Sequence, residues 1–334
     1  MTKIITEAEI GFAAQCIKNG GTVVFPTETV YGLGADATND EAVKAIFKAK
    51  GRPGDNPLIV HIADIGDVYK LASSVNDNAK KLMDAFFPGP LTLIMKKSDV
   101  LGDVVTAGLD TVAIRMPSNP IANKLIRESG CFIAAPSANL SGSPSPTVAR
   151  HVIDDMDGRV DYIIDGGSSE VGLESTVVDV SGDIPEILRP GKITYEDLKK
   201  ITPDVIINKG ILKETDKPKS PGMKYKHYSP KADVTVVMGS KENVRRYIAQ
   251  KTANGKNIGV LTYKGGSYEN AVVIDAGANM EEYANGLFYN LRLFDEKNVD
   301  TVYAEFADEG GIGLAVKNRL FKSAGHKTVD ADNI

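Results

Sequence analysis

The stretch TVVFPTETVYGLGADATNDEAVKAIFKAKGRPGDNPLIVHI, residues 22–62, decides the fold class. It begins with a β-branched run and closes with a second apolar run at residues 58–62, and both runs are typical of buried strands. Between them, Asn39 or Asp40 can cap a helix that extends to Lys50 with apolar residues at helical spacing. A strand, a helix and a strand in this order indicate an α/β domain.

The same alternation continues outward from this stretch. Further apolar runs predict strands at residues 91–95, 112–116, 131–134, 162–164, 176–180 and 186–188. Helical patterns occur at residues 7–18, 76–86, 119–129 and 146–155. Some connections are too short for crossover helices, so we expect a twisted, mixed sheet with flanking helices.

A change of composition divides the chain into three parts. The string KETDKPKSPGMKYKHYSPK, residues 213–231, is rich in Lys and Pro and has no apolar periodicity, which is typical of a linker. We therefore predict a larger domain at residues 1–201, a linker at 202–231 and a smaller three-layer α/β domain at 232–334. The last part again alternates strand patterns (234–238, 258–263, 272–274, 301–306) with helical patterns (241–251, 280–294, 313–323).

Composition excludes several classes of protein. The 334 residues carry 39 Lys plus Arg against 44 Asp plus Glu, a net charge of −5 that argues against a wholly basic nucleic-acid scaffold. Tryptophan is absent, which leaves few aromatic surfaces for base stacking. Two cysteines cannot form a disulfide framework, and no Cys/His spacing suits zinc. Without a long apolar run or a signal-peptide pattern, we expect a cytoplasmic protein with no membrane partner.

Polar residues follow the predicted strands in six places. These segments are residues 25–40, 48–62, 110–120, 135–147, 173–179 and 187–194. Each has an ordinary interpretation as a turn, a helix end or a salt-bridged strand. Together they supply hydroxyls, amides and cations but few free acids, which favours a site for a phosphate-bearing anion and a small polar molecule.

Several kinds of chemistry find no support in these segments. The chain lacks a P-loop and a G-x-S-x-G elbow, and neither cysteine has a plausible histidine partner. Gly32–Ala37 matches G-x-G-x-x-A, but the preceding strand ends too early for a dinucleotide turn. A reaction driven by positioning and electrostatics is therefore favoured over covalent catalysis.

Two strand residues leave alternatives open. Arg115 shares one strand face with Ala113, and if it is buried it needs either a salt bridge or a substrate carboxylate. His61 shares a face with Ile59, opposite the apolar Val60, and a lone strand histidine is more often structural than functional.

Taken together, these motifs resemble those of a known family. PTETVYGLGADA, K-x-R-x-x-x-N-P-L-I-V-H, APSAN-x-SG, ESTVVD and LRPG, in this order, resemble the YrdC-like superfamily. SPGMKYKHYSPKA, followed by a small α/β domain, resembles its long two-domain branch, the L-threonylcarbamoyladenylate synthases. The resemblance implies a YrdC-like catalytic domain followed by a Rossmann-like C-terminal domain.

The resemblance also implies an activity. Threonine, bicarbonate or CO2, and ATP with Mg²⁺ would give threonylcarbamoyl-AMP and pyrophosphate, for threonylcarbamoyl-adenosine formation in tRNA. This would make the protein a nucleotidyltransferase whose product passes to a downstream tRNA threonylcarbamoyl transferase, with at most a weak contact to tRNA itself.

The family motifs imply a role for each matching residue. Threonine would be bound by Thr29, His61, Arg115, the backbone of Ala135, and Ser175. ATP or its phosphates would be bound by Lys50, Arg52, Asn56, Thr111, Ser137, Ser145 and Arg189. Lys50 and Arg52 would also be catalytic, Tyr225 in the linker would close over the site against ATP, and no protein metal site is predicted.

Two rivals give different expectations. Related enzymes of hydrogenase maturation adenylate carbamoyl groups but carry Cys-rich zinc modules, and two cysteines argue against that type. The second rival is a module that binds double-stranded RNA or tRNA without adenylation activity, using Lys48, Lys50, Arg52 and the basic linker.

Overall fold

The structure is a computed structural model that describes residues 1–211, 228–307 and 310–334. The described residues form two compact units. The first comprises residues 1–141 and 145–211, and the second comprises residues 142–144, 228–307 and 310–334.

The first unit is an α/β domain, as predicted. Its strands are β1 Lys3–Ile5, β2 Val23–Phe25, β3 Gly32–Asp36, β4 Ile59–His61, β5 Leu91–Lys96, β6 Thr111–Arg115, β7 Ile133–Ala135, β8 Tyr162–Ile164, β9 Thr176–Asp179, β10 Glu186–Arg189 and β11 Ile206–Ile207. Its helices are α1 Ile10–Lys18, α2 Asp40–Lys50, α3 Val68–Leu71, α4 Asp77–Phe86, α5 Asp103–Thr106, α6 Pro120–Ser129, α7 Ala149–Met156 and α8 Tyr195–Ile201.

The described strands of this unit form a single mixed sheet. Their order is β1-β8-β2-β3-β7-β4-β6-β5-β9-β10-β11. β4 runs parallel to β6 and antiparallel to β7, while β5 runs antiparallel to β6 and parallel to β9. The mixed sheet expected from the short connections is therefore confirmed. β11 lies within the segment 202–231 that we predict as a linker, so the sheet extends into the start of that segment.

Local sequence signals account for α2. The Asn39 side chain accepts hydrogen bonds from the backbone N–H groups of Glu41 and Ala42, which satisfies two donors of the first turn. Gly51 ends the helix in the left-handed conformation, with φ +62°. The cap and the end of this helix match the prediction.

Strand β3 was not predicted, because its sequence GLGAD has the composition of a turn. It pairs with both β2 and β7. A Cβ at Gly34 would lie 2.6 Å from Ile133 Cγ2 and 2.7 Å from Phe25 Cε1. Glycine is therefore needed here for close packing against the sheet's own side chains rather than for a turn.

The two faces of the sheet are covered differently. On one face the main core joins strand residues to apolar residues of α2, α4, α7 and α8. On the other face α1 and α6 pack over β1, β2, β7 and β8. The rest of that second face carries a separate apolar cluster formed by strand residues alone, namely Ile59, Ile94, Ala113, Val177 and Leu188. We call this cluster the apolar floor.

The second unit is a smaller α/β domain built on a parallel sheet. Its strands are β12 Asp233–Met238, β13 Ile258–Thr262, β14 Ala271–Asp275, β15 Thr301–Glu305 and β16 Thr328–Asp330, and its helices are α9 Lys241–Asn254, α10 Met280–Glu296 and α11 Gly313–Ser323. The strand order is β14-β13-β15-β12-β16, with every pairing parallel. No helix within the described ranges of the chain is long and apolar enough to cross a membrane.

Candidate active site

Strand register places the predicted polar residues beside the apolar floor. His61 of β4 lies opposite Arg115 of β6, and Ile59 lies opposite Ala113. Directly opposed residues point to the same face of a sheet, so His61 and Arg115 project on the side of the floor. The faces predicted for both strands are confirmed, because Val60 and Ile114 belong to the main core on the other side.

Of the predicted site residues at the ends of β4 and β6, those assigned to threonine lie at one end of the two strands and those assigned to ATP at the other. His61 and Arg115 end β4 and β6, whereas Asn56 precedes β4 and Thr111 begins β6. Thr111 and Arg115 are four residues apart, which corresponds to about 13 Å along a strand. Ser137 follows β7, whose antiparallel direction puts its end beside the start of β4. These residues therefore lie around the apolar floor.

Arg115 is held in a buried ion pair. Its Nη2 lies 2.7 Å from Oε1 of Glu28, and the two side chains are 4 % and 5 % exposed. The salt bridge that sequence analysis left as an alternative for Arg115 is thus present. The Arg115 Nε is shielded from solvent and has no hydrogen-bond partner within the described residues, so the guanidinium retains capacity for a second anion.

His61 is a neutral imidazole beside this cation. Burial, and secondly the positive charge of Arg115, lower the pKa of His61 to about 3. The ring meets Phe25 edge-on, with centroids 6.0 Å apart. At neutral pH the imidazole therefore adds no charge to the site and offers a hydrogen bond instead.

Acidification is expected to destabilise the protein through His61. The His61 imidazole takes up a proton near pH 6.5 in the unfolded chain but only near pH 3 in the folded chain. Between these two pH values protonation favours the unfolded chain, so the free energy of unfolding decreases as the pH falls from 6.5 towards 3. By pH 5 the loss is about 2 kcal/mol. Urea unfolding at pH 7.5 and at pH 5 measures this loss of free energy. In the His61→Asn variant the free energy of unfolding should differ less between the two pH values. An unchanged difference in that variant would assign the acid sensitivity to other groups.

Thr29 lies in a tight turn that follows β2. The Thr27 hydroxyl is 2.8 Å from the Thr29 hydroxyl and donates to the carbonyl oxygen of Val30 at 2.6 Å. The backbone N–H groups of Thr29 and Val30 in turn donate to the Thr27 hydroxyl. This turn fixes the backbone on either side of Glu28.

Ser175 is the centre of a second buried polar group. Its hydroxyl is 2.7 Å from that of Thr92, and it accepts a hydrogen bond from Arg189 Nη2 at 3.0 Å. Arg189 Nε also donates to the Ser175 carbonyl oxygen at 3.0 Å. The predicted threonine residue Ser175 and the predicted ATP residue Arg189 are thus in direct contact.

Ser145 is bonded to an acid that we did not predict. Its hydroxyl donates to Oε1 of Glu174 at 2.6 Å, and both residues are buried. Because Glu174 directly precedes Ser175, this bond connects the Ser-rich loop at residues 135–147 to the start of β9.

Lys50 is buried and bonded to backbone. Its ammonium donates to the carbonyl oxygens of Ser137 at 2.5 Å and of Asn139 at 2.6 Å. Ser137 Oγ donates to the Asn139 side-chain oxygen at 2.5 Å. In this structure Lys50 therefore shapes the loop after β7, and its role toward phosphate stays a prediction. Arg52, two residues beyond α2, is partly exposed.

The structure brings together most of the predicted site. Ala135, opposite Ile59, belongs to the same region, and Asn56 is fully buried with both amide atoms lacking partners within the described residues. Tyr225 lies outside the described residues.

Our sequence assignments omitted Glu28, Thr92 and Glu174. Glu28 stands within the motif PTETVYGLGADA, but its partner is 87 positions away.

The described residues also limit how a metal ion could be held. Within residues 1–211, 228–307 and 310–334, no group of three or more His, Cys, Asp or Glu side chains is placed to hold a metal ion.

Family models match both units. The model named Sua5, YciO and YrdC, described as telomere recombination, matches residues 15–191. The model described as threonylcarbamoyl-AMP synthase, C-terminal domain, matches residues 193–325.

Individual relatives match nearly the whole chain. The threonylcarbamoyl-AMP synthase of Bacillus subtilis is 50 % identical over 328 residues, which are 97 % of this chain and 95 % of the relative. The synthase of Pyrococcus abyssi is 48 % identical over 97 % of this chain and 96 % of the relative. A crystal structure of P. abyssi Sua5 complexed with L-threonine matches with a TM-score of 0.95 at 47 % identity, over 98 % of this chain and 99 % of that one. The chain therefore belongs to the Sua5/YrdC family, in the two-domain branch of the threonylcarbamoyl-AMP synthases.

Proposed function

We propose that this chain makes L-threonylcarbamoyl-AMP and pyrophosphate from L-threonine, bicarbonate or CO2, and ATP. The observation that carries the proposal is the buried Arg115 guanidinium, which keeps an unpartnered Nε beside the neutral His61. A carboxylate is the natural second partner for such a group. The family's name and the L-threonine complex of the P. abyssi relative support threonine as its source.

The chemistry we propose needs no protein nucleophile. Bicarbonate gives CO2 and hydroxide, and the threonine ammonium releases one proton to become the amine. The amine adds to CO2 and loses a second proton to give the carbamate; one of the two protons forms water with the hydroxide and the other goes to solvent. A carbamate oxygen attacks the α-phosphorus of ATP, and the bond from that phosphorus to the bridging oxygen of pyrophosphate breaks. Buried Arg and Lys groups, fixed hydroxyls and backbone dipoles suit a reaction that depends on orientation and charge neutralisation.

Each ligand has a proposed place in the first unit. Threonine occupies the end with Arg115, His61 and Ser175, and ATP occupies the end with Asn56, Thr111 and Ser137. The buried, unpartnered amide of Asn56 supports a polar ligand at that end. Mg²⁺ would enter with ATP and would neutralise charge on the pyrophosphate that leaves.

The chemistry of the product indicates which class of enzyme consumes it. A threonylcarbamoyl-adenylate is an activated acyl donor, so a transferase that acts on an adenosine of tRNA is proposed as its consumer. We place the reaction in the cytoplasm.

Pyrophosphate release tests the proposal. We expect release to require threonine, bicarbonate and ATP together, to proceed without RNA, and to stop when any one substrate is omitted. The RNA-binding alternative predicts instead salt-sensitive RNA affinity without threonine-dependent release. Of the cations that this alternative invokes, Lys50 is a poor match for binding RNA, because it is buried and bonded to two backbone carbonyl oxygens.

A further inference from the structure

Glu28 carries an unused hydrogen-bond acceptor inside the proposed threonine site. Its Oε1 is 2.7 Å from Arg115, but its Oε2 is shielded from solvent and has no partner among the described residues. A buried carboxylate oxygen without a donor is costly, so such an atom calls for an explanation.

Glu28 cannot easily turn this oxygen elsewhere. Its carbonyl oxygen accepts a hydrogen bond from the backbone N–H of Val171 at 2.8 Å. The hydroxyl turn of Thr27 holds the residues that follow it, and Arg115 holds Oε1. The backbone and one oxygen are thus held, and Oε2 stays buried without a donor among the described residues.

The Glu28–Arg115 pair has one hydrogen-bond donor and one acceptor without partners among the described residues. Arg115 retains an unpartnered Nε donor, and Glu28 retains the unpartnered Oε2 acceptor. The free α-amino acid is a zwitterion with a carboxylate and an ammonium on one carbon. Its carboxylate complements the guanidinium, and its ammonium, with three donors, complements the carboxylate oxygen.

We propose that Glu28 is a specificity-determining residue that accepts a hydrogen bond from the substrate's ammonium and so selects α-amino acids over hydroxy acids. This inference rests on the proposed function, since it names how the same site recognises its amino-acid substrate. The competing account is that Glu28 only neutralises Arg115. If Glu28 only neutralised Arg115, its Oε2 would have no hydrogen-bond partner. A hydrogen bond from the substrate's ammonium gives Oε2 that partner.

Two probes separate these accounts. L-threonine is compared with 2,3-dihydroxybutanoate, in which a hydroxyl replaces the amine and the carboxylate is kept. Calorimetry on the full chain gives both dissociation constants for the unaltered protein and for Glu28→Gln. We expect Glu28→Gln to weaken threonine binding by about 10- to 100-fold and dihydroxybutanoate binding by less than about 3-fold.

Two further variants control for folding. Glu41→Gln removes an exposed carboxylate that pairs with Lys44 on α2, and it should leave both constants unchanged. If Glu28→Gln fails to fold, Glu28→Asp keeps the charge for Arg115 but withdraws the carboxylate by one methylene. The preference for threonine over dihydroxybutanoate should then fall in the folded Glu28→Asp protein.

The outcomes are distinct. Equal weakening of both ligands by Glu28→Gln would overturn the ammonium contact, because Glu28 would then act only through Arg115. An unchanged preference in both Glu28 variants would overturn it as well. Absence of threonine-dependent pyrophosphate release in the unaltered chain would instead overturn the proposed function.

Discussion

Arg115→Ala is expected to raise the KM for threonine at least about 100-fold and to lower the free energy of unfolding by about 3–5 kcal/mol. Two losses combine in this variant. The substrate carboxylate loses its proposed guanidinium partner, and Glu28, only 5 % exposed, keeps a buried charge without its ion pair. Pyrophosphate release against threonine concentration measures the first loss, and urea unfolding measures the second.

Two comparisons make this prediction specific. Arg159→Ala removes an exposed arginine, and both quantities should stay near those of the unaltered chain. Arg52→Ala should instead depress pyrophosphate formation at saturating threonine, because we assign Arg52 to ATP. Unchanged kinetics in both Arg115→Ala and Arg52→Ala would remove the substrate assignments.

Gly191→Ala should damage the same site through the backbone, with a loss of about 2–3 kcal/mol in stability. A Cβ at residue 191 would lie 2.5 Å from the Thr176 backbone nitrogen and 2.8 Å from the Glu174 carbonyl oxygen. Backbone atoms cannot rotate away as a side-chain end can. The start of β9 must therefore move, which displaces Ser175 and weakens threonine binding.

Gly182→Ala is the matched control for this substitution. No atom lies within 4 Å of a Cβ built at Gly182, so its effect should stay within about 0.5 kcal/mol. Thermal unfolding and threonine titration of both variants are the measurements. If the Gly191→Ala protein kept the stability and threonine affinity of the unaltered chain, the close packing of Gly191 against the start of β9 would not be needed to position Ser175.

Sequence patterns predicted the framework of the site well where the periodicity was strong. The alternation in β4 and β6 put His61 and Arg115 on one face with Ile59 and Ala113, and strand register confirms that placement. β3 escaped prediction because glycine carries no side-chain periodicity. Its identity as a strand depends on Ile133 and Phe25, which fill the space that a larger residue at position 34 would need.

Partners distant in the chain could not be predicted from local patterns. Glu28 contacts Arg115, and Ser175 contacts Thr92, across separations of 87 and 83 residues. Neither contact could be predicted from the sequence, because the two residues of each pair are not separated by a spacing typical of a helix, strand or turn. The resemblance to a family implied which residues bind the ligands, but it did not assign the protein groups that hold those residues.

By itself the sequence determined the α/β class, the cap and end of α2, and the faces of the central strands. These follow from local propensity and from the periods of 3.6 and 2 residues. Only the tertiary structure decided that Lys50 binds loop carbonyls, that Arg115 is paired with Glu28, and that one Glu28 oxygen is left without a partner. The physical reason is that strand order and register, not sequence distance, set which polar groups share a buried face, and burial then decides which of them must be paired.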